Sequence, residues 1–176
     1  GATPVVLMGY ANPIEAYGQA EFAADAALVG VDGVLVVDYP PEECAEFSAL
    51  LKQRGLDPIF LLAPTSTDQR ISEVAAAGGG YIYYVSLTGV TGSAKLDLDE
   101  VARRIPAIRA RVGMPIGVGF GIRDGQTAAR IAALADGVVV GSRIIEEVEQ
   151  SSPDEAPRRV TALLADIRQA MDAGVR

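Results

Sequence analysis

The sequence has no histidine, no tryptophan and a single cysteine, Cys44, among its 176 residues. Without histidine there is no imidazole to bind zinc, complete a Ser-His-Asp triad or act as a base near neutral pH. One cysteine excludes an intrachain disulfide and a thiolate metal cluster, so a reducing cytoplasm is the expected setting. Positive charge is also scarce: fifteen Lys and Arg face twenty-three Asp and Glu, for a net charge of −8. That balance works against broad electrostatic capture of nucleic acid or an anionic membrane, and neither is expected as a partner. An anionic ligand therefore needs a local site. No stretch reaches the roughly 18 apolar residues of a membrane span, and no basic leader precedes an apolar segment. Gly1-Ala2 reads as an appended remnant, and no low-complexity run or linker divides the rest. A single domain over 1–176 is expected, closed by a C-terminal helix within 153–176.

Short apolar runs are plentiful. Residues 4–8, 33–37, 58–62, 81–85, 115–119 and 137–140 are rich in Val, Ile, Leu or Tyr. Their continuous apolarity, without alternation, marks strands buried on both faces, as in parallel sheets. Between them, 15–29, 42–54, 68–77, 98–112, 124–135 and 143–150 have helical spacing, and a last amphipathic stretch, 157–172, follows Ser151-Ser152-Pro153. Asp68 and Asp124 are expected to cap helices, since a carboxylate accepts hydrogen bonds from first-turn N–H groups. Six βα repeats make either an open doubly wound sheet or part of a (β/α)8 barrel.

In both architectures the ligand meets the C-terminal ends of the strands. Gly121 and Gly141-Ser142 follow the last two strands. Each glycine serves either a tight turn or the close approach of a phosphate to main-chain N–H groups. The pair at successive strand ends favours the phosphate, with Ser142 adding a hydroxyl. The segment 87–94 is the longest loop and carries two glycines, two threonines and a serine, a composition suited to closing over a ligand. Tyr10, Tyr83 and Phe120 stand at or near strand ends and suggest an aromatic wall, whereas Tyr81 and Tyr84 are expected to point away from Tyr83 under the helices. Asp38 is the one convincing strand-end carboxylate, so an acid–base pair is not evident. Cys44 reads as a half-buried packing residue.

The segments Leu7-Met8-Gly9-Tyr10-Ala11-Asn12-Pro13, Val34 to Pro40, Pro58 to Pro64, Gly89-Val90-Thr91-Gly92, Gly119-Phe120-Gly121-Ile122 and Gly141-Ser142 together resemble the α subunit of tryptophan synthase. That family cleaves indole-3-glycerol phosphate into indole and glyceraldehyde 3-phosphate. The resemblance implies an α/β fold, a partial TIM (β/α)8 barrel of six parallel βα units corresponding to strands three to eight. It implies that Gly92, Gly121, Gly141 and Ser142 hold the substrate phosphate, and that Thr91 lies on the closing loop. Met8, Tyr10, Val37, Leu61, Tyr83 and Phe120 would line the pocket for the phosphorylated indole substrate. It implies no cofactor in this chain, and a β subunit that docks on Asn12-Pro13 and Asp38 to Glu42.

The departure from the family is the absence of counterparts for strands one and two. The glutamate and aspartate that act catalytically in the family accordingly have none here, so no catalytic residue is assigned and the 176 residues alone are expected to be inactive. Self-association through the exposed edges at 4–9 and 137–142 is expected. The rival readings are a non-catalytic phosphate-ligand module or engineered scaffold, and a flavodoxin-like sheet, which requires the strand order to reverse.

Overall fold

The computed structural model describes residues 3–40, 43–88, 95–96, 98–119 and 121–174. In chain order the elements are β1 (Val6–Gly9), α1 (Ala11–Tyr17), α2 (Gln19–Leu28), β2 (Gly33–Val36), α3 (Ala45–Gln53), β3 (Asp57–Leu62), α4 (Asp68–Ala77) and β4 (Ile82–Val85). They continue with β5 (Leu87–Thr88), β6 (Lys95–Leu96), α5 (Leu98–Val112), β7 (Ile116–Gly119), α6 (Gly125–Ala132), β8 (Gly137–Val139), α7 (Ser142–Glu149) and α8 (Ala156–Gly174). The six strands expected from apolar runs form one sheet in the order β1-β2-β3-β4-β7-β8, and β5 with β6 makes a separate antiparallel pair. This order never reverses. The flavodoxin-like alternative, which binds its ligand where the strand order changes direction, therefore fails.

The chain divides into two compact units, Gly1–Tyr83 with Ile108–Pro115 and Tyr84–Ala107 with Ile116–Arg176. In the first, β1 pairs with β2 and β2 with β3, all parallel. Its core gathers Ile14, Ala23, Val34, Phe47, Leu51 and Leu56. The expected helix at 15–29 is two helices, because Gly18 adopts φ +96°, a left-handed conformation that interrupts the helix at little cost only for glycine. Thr67, not Asp68, caps α4: its hydroxyl accepts from the Arg70 N–H at 3.2 Å. Asp68 lies one residue inside and pairs with Arg111 at 2.6 Å. Cys44 is buried rather than half-buried, and its sulfur lies 3.8 Å from the Ser48 hydroxyl.

In the second unit β7 and β8 run parallel, and α8 packs on α6 and α7. Asp124 caps α6 as expected, accepting from the Thr127 N–H at 2.7 Å. Gly125 opens that helix where α8 passes close: a Cβ there would sit 2.7 Å from the Cβ of Ala170. Just before α8, Ser152 donates to the Glu155 carboxylate at 2.8 Å, and Pro157 stands in the first turn of the helix. Tyr84 is fully buried, which pushes its phenol up to about 12, with the charge of Glu100 adding to the effect. Tyr81 departs from expectation. Side chains alternate along a strand, so Tyr81 shares its side with Tyr83, not Tyr84. Both phenols are raised by burial, and Tyr83 further by Tyr81.

Candidate anion-binding site

The register of β7 and β8 pairs Gly117 with Gly137, Val118 with Val138 and Gly119 with Val139. Gly121 and Gly141 therefore each lie two residues beyond the last pair, at corresponding places on neighbouring strands. Gly121 is exposed at φ +74°, a conformation natural only to glycine, and it turns the chain toward α6. Gly141 is the N-cap of α7 and makes no side-chain cap; a Cβ there would meet nothing within 4 Å. Ser142 opens α7 and is exposed. The open backbone at Gly141, the Ser142 hydroxyl and the amino end of α7 together suit an oxyanion, which backbone N–H groups and the helix dipole both attract. Ser86 steadies this end of the sheet, its buried hydroxyl donating to the Gly119 carbonyl at 2.9 Å. Gly92, Thr91 and Phe120 lie outside the described residues.

Sequence reasoning missed the ionic framework behind these loops. Arg123, two residues past Gly121, is bidentate to Glu146 on α7, with Nη1 donating to Oε1 at 2.7 Å and Nη2 to Oε2. Glu147 takes Arg143 at 2.6 Å and Arg159 of α8 at 2.5 Å. These arginines hold both carboxyls below the usual glutamate range. The spacing of Arg143 and Glu147, one helical turn apart, was a readable signal. Nothing local announces Arg159.

In the first unit the register aligns Met8 with Leu35 and Leu35 with Ile59. Alternation along β3 carries Leu61 to that same face, so Met8 and Leu61 share it, while Val37 lies one residue past the end of β2. Met8 and Tyr10 are 60% and 61% exposed, and Val37, Leu61 and Tyr83 are half-buried. Asp38 accepts from the Ala11 N–H at 2.8 Å and so serves the start of α1, whose N-cap Tyr10 supplies no side-chain bond. Asp32 and Asp136 likewise accept from the N–H groups of Val5 and Ile116, at 2.7 and 2.9 Å.

Parallel strands in chain order, helices between them, and small residues at the strand C-terminal ends define a protein of the (β/α)-barrel class, here with six units. The family model for the tryptophan synthase alpha chain matches residues 1–175, and the chain belongs to that family. The tryptophan synthase alpha chain of Azoarcus sp. (strain BH72) is 69% identical over 170 residues, covering 97% of this chain and 63% of the relative. That of Dechloromonas aromatica (strain RCB) is 64% identical, with 98% and 64% covered. Among solved structures, subunit alpha from Legionella pneumophila superposes with a TM-score of 0.86 at 38% identity, over 97% of this chain and 63% of its own. A structure of the tryptophan synthase α2β2 complex from Pyrococcus furiosus gives 0.83 at 31% identity, over 96% and 68%. The chain thus spans somewhat under two thirds of the length of these curated relatives.

Proposed function

We propose that this chain carries the phosphate and apolar contacts of an indole-3-glycerol-phosphate lyase in tryptophan biosynthesis, the substrate being cleaved to indole and glyceraldehyde 3-phosphate. The observation that carries the reading is the matched placement of Gly121 and Gly141-Ser142 beyond the paired ends of β7 and β8. Phosphate oxygens accept from backbone N–H groups there and from the Ser142 hydroxyl, while Gly92, Thr91 and Phe120 complete and close the site. Met8, Tyr10, Val37, Leu61 and Tyr83 face the indole and glycerol portion.

Cleavage requires one proton removed from the glycerol hydroxyl and one delivered to the indole ring, and hence two positioned titratable groups. The sequence supplies no counterpart of the family's two carboxylates, and Asp38 is engaged with the backbone of α1. The 176 residues by themselves therefore bind substrate without turning it over. Addition of a polypeptide bearing the family's first two βα units restores indole release; brisk release by this chain alone would refute the assignment of roles. A cytoplasmic setting fits this activity, and no described helix is long and apolar enough to cross a membrane.

Two associations accompany this reading. A tryptophan synthase β subunit docks through Asn12-Pro13 and the segment from Asp38, of which Pro41 and Glu42 lie outside the described residues. Self-association uses β1 and β8, which stand at the two ends of the strand order, with Val5, Leu7 and Met8 exposed on or beside β1. The alternative, a binding module or scaffold without catalysis, shares the anion site. It parts from the lyase reading in the complementation assay, where it predicts bound phosphate ligand and no indole.

A further inference from the structure

The arginines closest in sequence to the anion site are both tied down by glutamates. Arg143 follows Ser142 in the first turn of α7, yet its guanidinium runs toward the carboxyl end of the helix to Glu147, 2.6 Å away. Arg123 follows Gly121 by two residues and is spent on Glu146. Glu147 is the one buried acid among the described residues, its side chain 8% exposed. It also takes Arg159 of α8 at 2.5 Å, and Arg159 donates a second hydrogen bond to the Gln150 carbonyl at 2.9 Å. The Ser151 hydroxyl closes the turn on the Glu147 carbonyl at 2.5 Å.

Carboxylates in the last turns of a helix oppose its dipole. Glu146, Glu147 and Glu149 all lie in the carboxyl half of the eight-residue α7, so three acids there call for compensation. Two receive it from arginines outside the helix, one on the loop after β7 and one on α8. These two attachments fix where the helix points.

We propose that Glu147 is a positioning residue of the anion site: through Arg159 it fixes α7 on α8, and through Arg143 it turns a guanidinium away from Ser142. The phosphate then meets only backbone N–H groups and a hydroxyl, held at a set angle. The Arg123–Glu146 bridge keeps the Gly121 loop in register with that helix end. This rests on reading Gly121, Gly141 and Ser142 as the phosphate site.

The test is a titration of the 176-residue chain with inorganic phosphate, followed by the amide resonances of Gly121, Gly141 and Ser142. Glu147→Gln weakens binding by about fivefold or more, the effect of misaligning one charge-assisted hydrogen bond. Arg159→Met does the same, Arg159→Lys restores most of the affinity, and Glu149→Gln on the exposed end of α7 changes it less than about twofold. The Arg159 pair carries the test should Glu147→Gln fail to fold, with circular dichroism reporting the folded state. Folded Glu147→Gln or Arg159→Met binding phosphate as tightly as the parent chain, or more tightly because Arg143 now reaches the anion, would overturn the positioning role alone. Absence of any phosphate-dependent shift in the parent chain would overturn the site reading itself, and this proposal with it.

Discussion

Replacing Gly141 by alanine separates ligand binding from folding more cleanly than any other change at the site. A Cβ there would find no atom within 4 Å. The folded chain therefore has room for the methyl group. A bound phosphate does not accommodate it. Backbone N–H donors must come within about 2.9 Å of the phosphate oxygens, and a methyl on the same residue holds them off. Loss of one hydrogen bond to a charged group is worth about 1.5–3 kcal/mol, or roughly a ten- to hundredfold fall in affinity. Thermal melting and calorimetric titration with inorganic phosphate measure the two quantities separately. Unchanged affinity in a variant that melts at or above the parent temperature would refute the reasoning. Gly121→Ala is the less selective comparison, because φ +74° costs a non-glycine residue about 1–2 kcal/mol, and binding and stability fall together.

Other perturbations bear on the surrounding structure. Gly125→Val destabilises the second unit by about 1–3 kcal/mol, since even a Cβ lies 2.7 Å from Ala170; denaturant unfolding reads the loss. Ile131→Ala, at a fully buried position of α6, costs about 2–5 kcal/mol by the same measurement. The carboxyls of Asp124, Glu146 and Glu147 are held low, Asp124 by the Thr127 N–H and the glutamates by arginines. A lowered folded pKa stabilises above the unfolded value and is lost as pH falls through the folded one. The melting temperature should therefore hold from pH 7 to about 5 and drop below about 4, with a shallower drop in Glu147→Gln. Leu7→Lys on the exposed β1 strand lowers the average mass seen by light scattering at high concentration; an unchanged mass would remove β1 from the association surface.

The sheet was legible because each strand is a continuous apolar run, a pattern that follows from burial in β2, β3 and β7 but persists in β1, where Leu7 and Met8 are exposed. Helix boundaries were less so. Thr67 and Asp68 both carry cap-competent oxygens, and a one-residue choice between them depends on backbone geometry that composition does not encode. The 15–29 stretch kept its helical pattern across Gly18, where only the positive φ reveals the break. Tyr81 stands one residue before β4, and its half-burial matches that of Tyr83 and not the buried Tyr84. Gly121 and Gly141 stand out in the sequence because they recur after successive apolar runs, and the register of β7 and β8 keeps that correspondence. The Glu147–Arg159 contact does not stand out, since its partners come from different helices with no local pattern to join them.

The most direct test follows the 176-residue chain by NMR while indole-3-glycerol phosphate is added, observing protein amides and free indole in one sample. The expected result is saturable shifts at Gly121, Gly141 and Ser142 with no indole signal growing in. Indole accumulating without added protein segments, or a folded chain whose three amides stay unmoved, would contradict it.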